Sequence, residues 1–305
     1  MGEDFILKGV HHGKGQDRLD RNRGHGRAHV RPSHGAGHEV HVYTRTKSKA
    51  SRLVDQGAGW CESPGEAAHG AEFVFTMVGY PADVEEVYFS GSGILENAER
   101  GAVLVDMTTS EPSLAGRISE AAQERGLYSL DAPVSGGDVG ARQATLAIMV
   151  GGDPGVFEKT LPLLETLGKT ISLMGGPGAG QHTKMANQIA IASGMIGVVE
   201  SLLYGMKAGL DPTAVIDIIG TGAAGSWSLN NLGRRIVSND FDPGFFVKHF
   251  IKDLGIALEE ARRMRLALPG LALAHQLYIA ASALGLDELG TQGLYKVFEQ
   301  MNGVD

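Results

Sequence analysis

The sequence predicts an α/β protein, with a doubly wound sheet in its first part, an all-α domain in its second, and a long helix joining them. Two observations predict this: strand-like apolar runs alternate with helical periods up to about residue 175, and beyond Gly180 the pattern is helical throughout. The strand-like runs are 38–45 (HEVHVYTR), 71–78 (AEFVFTMV), 101–107 (GAVLVDM), 127–134 (LYSLDAPV) and 146–152 (LAIMVGG). Residues 110–124, between two of them, carry apolar positions at three and four spacing, as a helix packed on a sheet requires. Such alternation is that of a Rossmann-type, mostly parallel sheet. The first long helix, at about 179–208, would run roughly 45 Å at 1.5 Å per residue and so carry the domain junction. The expected domains are 1–175 and 176–305.

Composition narrows the class of function. At 305 residues and 43% hydrophobic, the chain can bury a large core in two domains. A net charge of −8 gives no basic field to recruit nucleic acid. The single cysteine, Cys61, rules out an internal disulfide framework and suits a reducing compartment. We read no apolar run of membrane-spanning length and no secretory layout at the N-terminus, so a cytoplasmic protein with no membrane partner is expected.

Two glycine-framed segments carry the chemistry: DAPVSGGDVGA at 131–141 and GPGAGQHTKMANQ at 176–188. The first exposes backbone amides at Ser135, Gly136 and Gly137 where no bulky side chain blocks a ligand, which suits a carboxylate. Taken alone it reads as a tight turn after a strand. The second places Lys184 one turn into the long helix, with Asn187 and Gln188 three and four positions later on the same face. An arbitrary helical lysine snorkels to the surface, but here a cation and an amide converge on one helix face, and the flanking motifs favour a functional role.

These residues, with FIKDLGIAL at 250–258, resemble the β-hydroxyacid dehydrogenases, the group holding 3-hydroxyisobutyrate dehydrogenase, tartronate semialdehyde reductase and succinic or glyoxylic semialdehyde reductases. The resemblance covers about residue 36 to the end and rests on three motifs in the right order and at the right separations. It implies an NAD(P)-binding first domain and a helical substrate and oligomerisation domain. It also implies Lys184 as the catalytic lysine, Ser135, Gly136 and Gly137 as the cradle of the substrate carboxylate, and Asn187 as the residue orienting the substrate, with Gln188 beside it. Lys252 with Asp253 would close over the nicotinamide end; the bland alternative is an exposed helical pair. Gln188 stands where the family often has asparagine, and the reductase-like variant with asparagine at the third position fits better. Hydride transfer to an aldehyde leaves an alkoxide, which needs a proton donor within about 3 Å and a nearby positive charge. An ammonium supplies both, and burial with a neighbouring Lys252 would lower the pKa of Lys184 so that it gives the proton up.

Other candidates carry less. His182 and His249 have no partner at metal spacing, so no metal site is expected. Trp227, in a Gly- and Ser-rich stretch, reads either as core packing or as lining of a substrate cleft. After the second strand, where an NAD enzyme carries Asp or Glu for the ribose hydroxyls, this chain has Tyr43, Thr44, Arg45, Thr46 and Lys47. Arg45 suits a 2′-phosphate, so NADP(H) is the preferred cofactor and NAD(H) the second. Met77 and Pro81, and Thr108 and Thr109, fall where the resemblance places the nicotinamide arm; otherwise they are strand-end packing.

One segment departs from the family. A glycine-rich turn into a helix should receive the cofactor pyrophosphate at Arg21, Asn22, Arg23, Gly24, His25 and Gly26, yet residues 11–35 hold five arginines, five histidines and Pro32, with no apolar strand. Taken literally this is a basic arm for an anionic partner. A reading frame shifted by one base restores the pattern, allowing Arg18→Gly, Asp20→Ile, Arg21→Gly, Asn22→Thr, Arg23→Gly, Gly24→Val and His25→Met, with the frame returning near Gly35. The result spells GxIGTGVMG, and we read the segment this way.

The expected function is an NAD(P)-dependent oxidoreductase that interconverts a small 3-hydroxy acid and its semialdehyde, a cytoplasmic homodimer or homotetramer acting on a small carboxylate substrate. Apolar stretches such as 266–279 exceed what one face of a small domain buries, and the resemblance also points to an oligomer. The alternatives are an imine reductase-like enzyme, whose fold is similar but which usually lacks the lysine, and a non-catalytic cofactor-binding scaffold if the Arg- and His-rich start is genuine.

Overall fold

A computed structural model of the protein describes residues 5–9 and 40–303. The chain divides into two compact units, Met1–Lys184 and Met185–Asp305.

The first unit holds strands β1 (Phe5–Gly9), β2 (Val40–Tyr43), β3 (Gly59–Trp60), β4 (Phe73–Met77), β5 (Val103–Asp106), β6 (Tyr128–Asp131), β7 (Val134–Ser135), β8 (Leu146–Gly152) and β9 (Gly168–Gly175). Its helices are α1 (Ser51–Asp55), α2 (Pro64–Ala68), α3 (Pro81–Phe89), α4 (Ile94–Asn97), α5 (Pro112–Glu124), α6 (Gly137–Gln143) and α7 (Pro154–Leu164). The strands form one sheet in the order β3-β2-β1-β4-β5-β6-β8-β7, with β9 pairing β8. The expected parallel character holds for β2 with β3, β4 with β5, β5 with β6, and β8 with β9. It fails at β1, antiparallel to both β2 and β4, and where β8 runs antiparallel to β6 and β7. The sequence analysis named no strand at β1, where FILKG shows no apolar–polar alternation.

The central strand β5 explains the layering. Val103, Leu104 and Val105 are all fully buried, since both faces of an inner strand between helical layers are covered. On one face Leu104 and Val74 pack with Leu114, Ile118 and Ala122, the four-spaced stripe of α5. On the other, Val103 and Val105 pack with Ile148, Val150, Phe157 and Leu164. Helix α7 begins where Asp153 accepts the Val156 N–H at 3.0 Å and Pro154 occupies the first helical position.

Helix α8 (Ala179–Lys207) matches the long helix expected at about 179–208. Its best 18-residue window has a mean hydropathy of 1.6, so by length and composition it could cross a membrane, which corrects the expectation that no apolar run reaches that length. Small and polar residues such as Ser193, Gly194 and Gly197 break up the run when it is read as a string.

The second unit adds α9 (Pro212–Ile219), α10 (Arg234–Val237), α11 (Val247–Arg263), α12 (Pro269–Ala283) and α13 (Leu294–Asn302). Its core joins Met195, Val199 and Leu202 of α8 to Phe250, Leu254 and Ala257 of α11 and Leu271, Ala274 and Tyr278 of α12. Phe250 meets Tyr278 edge-on at 4.9 Å between ring centroids, and the Tyr278 hydroxyl donates to the Thr291 carbonyl at 2.9 Å. Truncating Phe250 here would cost about 3–5 kcal/mol, the range for a large buried aromatic. Trp227 precedes a π-helical turn, Ser228–Gly233, and is 67% exposed, so the core-packing reading does not hold for it.

Candidate functional site

In the first unit the site is built at the carboxyl ends of β4, β5 and β6. The chain leaving β7 turns at Gly136 (φ +132°) and Gly137 (φ +60°), backbone that L side chains rarely adopt. Both glycines are exposed and Ser135 is half-buried. Lys184 is 6% exposed, and its Nζ donates to the Val134 carbonyl at 2.9 Å, immediately before that turn. The cation and the turn, 50 residues apart in sequence, are thus neighbours.

Two residues that sequence reasoning did not name hold this arrangement. Asp131, at the end of β6, accepts the Gly178 N–H on Oδ1 at 2.7 Å and the Gln181 N–H on Oδ2 at 2.8 Å. The fully buried Gln181 donates through Nε2 to the Thr108 carbonyl at 2.7 Å and accepts the Ser110 N–H at 2.9 Å. The sequence signal was an acid closing an apolar strand before the turn, visible in LYSLD and again in VLVD.

Burial pushes the Asp131 carboxyl above its ordinary range, against the pull of the Gly178 and Gln181 amides. At the end of β5, Asp106 is pushed up to about 6, first by burial, with hydrogen bonds from Thr108 and Thr76 opposing and the charge of Asp131 adding to it. Its Oδ1 accepts from the Thr76 hydroxyl at 2.9 Å and the Thr108 N–H at 3.1 Å. The folded state therefore holds this proton more tightly than the unfolded chain. Its contribution is fully present below about pH 4 and is lost as pH rises through about 6, by at most roughly 3 kcal/mol. We expect Asp106→Asn, which keeps an acceptor for both donors, to gain stability over the native chain by about 1–3 kcal/mol between pH 4 and pH 7. Urea midpoints at the two pH values check this; a difference that does not change with pH contradicts it.

The ends of β2 and β4 carry the residues expected at the cofactor. Thr44 is buried, and Arg45 is ion-paired to Asp83, with Glu86 at 4.0 Å. Asp83 also accepts the Tyr80 N–H at 2.9 Å, capping α3. A cavity opens here between Tyr43, Thr44, Arg45, Val78, Glu86 and Ser90. Met77 closes β4, and the Thr108 hydroxyl accepts the Val78 N–H at 3.0 Å, tying the ends of β4 and β5 together, with Thr109 next on that loop. The Ser110 hydroxyl is buried among described residues without a hydrogen-bond partner. These strand ends share one edge of the sheet, the edge where doubly wound sheets take a dinucleotide. β1 runs the other way: Phe5 pairs with Met77 and Gly9 with Phe73. Arg21, Asn22, Arg23, Gly24, His25 and Gly26 lie outside the described residues.

The second unit holds the remaining candidates in a buried polar chain. Asn187 Nδ2 donates to Gln188 Oε1 at 2.8 Å, and Gln188 Nε2 donates to Asp253 Oδ2 at 2.6 Å. Lys252 Nζ lies 2.9 Å from Asp253 Oδ1, an ion pair by distance whose angles do not make a hydrogen bond. Asp253 is fully buried and the Lys252 side chain 12% exposed, so the pair is not the exposed helical pair of the bland reading. Both ends of the Gln188 amide are engaged by protein, which leaves Asn187 the outer member of the chain. Burial, then Lys252 and Lys248, lower the pKa of His249.

Comparison with known proteins places both parts of the chain in one family. Residues 26–176 match the NAD binding domain of 6-phosphogluconate dehydrogenase, and residues 178–298 match the NAD-binding domain of NADP-dependent 3-hydroxyisobutyrate dehydrogenase. An oxidoreductase of Bacillus subtilis (strain 168), YkwC, is 56% identical over 86% of this chain and 91% of its own length. The 2-hydroxy-3-oxopropionate reductase of Escherichia coli (strain K12) is 40% identical over 87% and 91%. The solved Mycobacterium tuberculosis 3-hydroxyisobutyrate dehydrogenase with L-serine is 29% identical, covering 83% of this chain and 88% of that one, with a TM-score of 0.77.

Proposed function

Since the chain belongs to the β-hydroxyacid dehydrogenase family, we propose that it interconverts a small 3-hydroxy acid and its semialdehyde with NADP(H), Lys184 acting as general acid and base. The observation that carries this reading is the buried Lys184 ammonium hydrogen-bonded to Val134 beside the turn of Ser135, Gly136 and Gly137. The L-serine held by the M. tuberculosis relative is itself a small 3-hydroxy acid, which supports the substrate class.

The roles follow from donor chemistry. A bound nicotinamide supplies or accepts the hydride. Amides at Ser135, Gly136 and Gly137 hold the substrate carboxylate, which fixes the carbonyl relative to Lys184. Lys184 gives a proton to the oxygen as it gains negative charge and takes one back in oxidation. Asn187 orients the substrate oxygen, Gln188 holds Asp253, and Asp253 neutralises Lys252 at the nicotinamide end. Thr44, Arg45, Met77, Thr108 and Thr109 line the cofactor. A single buried thiol, Cys61, is in keeping with a cytoplasmic enzyme. A panel of short semialdehydes with NADPH consumption as readout tests the assignment.

Cofactor choice rests on Arg45. We expect Arg45→Ala to weaken NADPH by about tenfold or more while changing NADH little, because only NADPH carries the 2′-phosphate that a guanidinium grips. Titration of both cofactors by fluorescence checks this, and equal losses for the two contradict it. Asp83 and Glu86 already attend this guanidinium, so high salt should narrow the difference between the cofactors.

The helical unit leaves Tyr204, Ile218, Leu266, Leu273 and Ile279 exposed, between 41% and 77%. Apolar surface of this kind is what a subunit interface covers. We expect a dimer or tetramer by sedimentation at micromolar concentration; a clean species near the 32.2 kDa chain mass contradicts it.

A further inference from the structure

The first turn of α8 is pressed onto the sheet more closely than any side chain would allow. A Cβ on Gly180 would lie 2.4 Å from the Met149 carbonyl oxygen and 2.6 Å from that of Asp131. A Cβ on Gly151 would lie 2.4 Å from Asp131 Oδ1 and 2.7 Å from the Gly180 nitrogen. These neighbours are backbone or the buried carboxylate itself, so neither glycine tolerates substitution without displacement of the turn or of Asp131.

The close approach brings the Asp131 carboxylate onto the orphan amides of the helix start, and both oxygens are used there. Positive helix-end potential and two charge-assisted hydrogen bonds offset the cost of burying the charge. Lys184 follows Gln181 by three residues, roughly 4.5 Å along the axis. Its Nζ then returns to the carbonyl of Val134, three residues after Asp131. The strand end and the helix turn are thus joined twice, once through the carboxylate and once through the ammonium. Gln181, on the same turn, grips Thr108 and Ser110 on the loop from β5.

We infer that Asp131, with Gln181, is the positioning residue for Lys184. The carboxylate sets the height and rotation of the turn that carries the lysine, and Gln181 sets that turn against the loop of Thr108 and Thr109. This rests on the reading of Lys184 as proton donor. It adds that the donor's placement relative to the substrate turn and the cofactor loop is held by one buried carboxylate with no cation paired to it among the described residues.

The test is the kcat–pH profile of the full chain, with NADPH and the best semialdehyde of the panel, for Asp131→Asn, Lys184→Met and the double variant. Asp131→Asn should lower kcat about 10- to 100-fold, because misplacement of a catalytic group by about 1 Å costs that much, with KM for NADPH changed less than threefold. Removal of a negative charge beside the ammonium's helical turn should also move the basic limb of the profile to lower pH. In the Lys184→Met background the same substitution should cost less than twofold, since its effect passes through the lysine. An unmoved limb, or an equal loss in both backgrounds, overturns the inference and makes Asp131 part of the scaffold only. Should Asp131→Asn fail to fold, Gly151→Ala, which crowds the carboxylate off the helix amides while keeping its charge, is compared in the same two backgrounds. A Lys184→Met enzyme with native kcat would instead refute the role of the lysine, an outcome visible before any Asp131 variant is made.

Discussion

Replacement of Lys184 by alanine is expected to lower kcat by about 10²–10⁴, the range for losing a general acid, with cofactor affinity nearly unchanged. The lysine is 6% exposed and its nitrogen rests on the Val134 carbonyl, so its loss removes the cation beside the turn at Gly136 and Gly137 without touching β2 or α3, where the proposed cofactor residues lie. Lys184→Met, closer in volume, separates chemistry from packing: a loss as large as that of the alanine variant assigns the effect to the ammonium. Native turnover in either variant takes the lysine out of the mechanism.

The second large effect concerns residues 18–34. The match to the first family model begins at residue 26, so most of this segment lies outside it. β1 delivers its carboxyl end, Gly9, opposite Phe73, at the edge away from Met77. A chain carrying the restored segment, with Arg18→Gly, Asp20→Ile, Arg21→Gly, Asn22→Thr, Arg23→Gly, Gly24→Val and His25→Met among its changes, is expected to bind NADPH about 10²–10⁴-fold more tightly. Two or three amide hydrogen bonds to a pyrophosphate, each about 1.5–2 kcal/mol, amount to that. Peptide masses of the protein expressed from its own gene decide the frame. Masses carrying the recorded arginines and histidines at 18–34 refute the shifted frame, and the basic segment then has to be explained as it stands.

How far the chain could be read from its residues differs between elements for physical reasons. The run at 146–152 returned as β8 with the same limits, and α5 and α8 fell within two residues of expectation, because apolar periods of these lengths are imposed by burial on one or both faces. Glycines with positive φ at 136 and 137 were legible for the same reason that they are there: no other residue fits the turn. β1 was not legible, since FILKG says nothing of its direction, and direction depends on residues distant in sequence. Asp131 was visible only as the first letter of a motif. Its work became plain from the space at Gly151 and Gly180, which is a property of packing, and Gln181 was passed over beside the lysine for the same reason. Gln188, expected near the substrate, has its amide bound between Asn187 and Asp253, a partner 65 residues away that no local pattern reveals.

The central claim is that this chain reduces a short semialdehyde bearing a carboxylate, with Lys184 delivering the proton. The most direct measurement follows NADPH absorbance with a panel of such semialdehydes and matched aldehydes lacking the carboxylate, using the chain with the restored segment and its Lys184→Met variant. The account predicts turnover with at least one semialdehyde, a kcat/KM at least tenfold lower for the aldehyde without the carboxylate, and loss of activity in Lys184→Met despite retained NADPH binding. Tight NADPH binding with no turnover of any semialdehyde, or turnover that persists without the lysine, would contradict it.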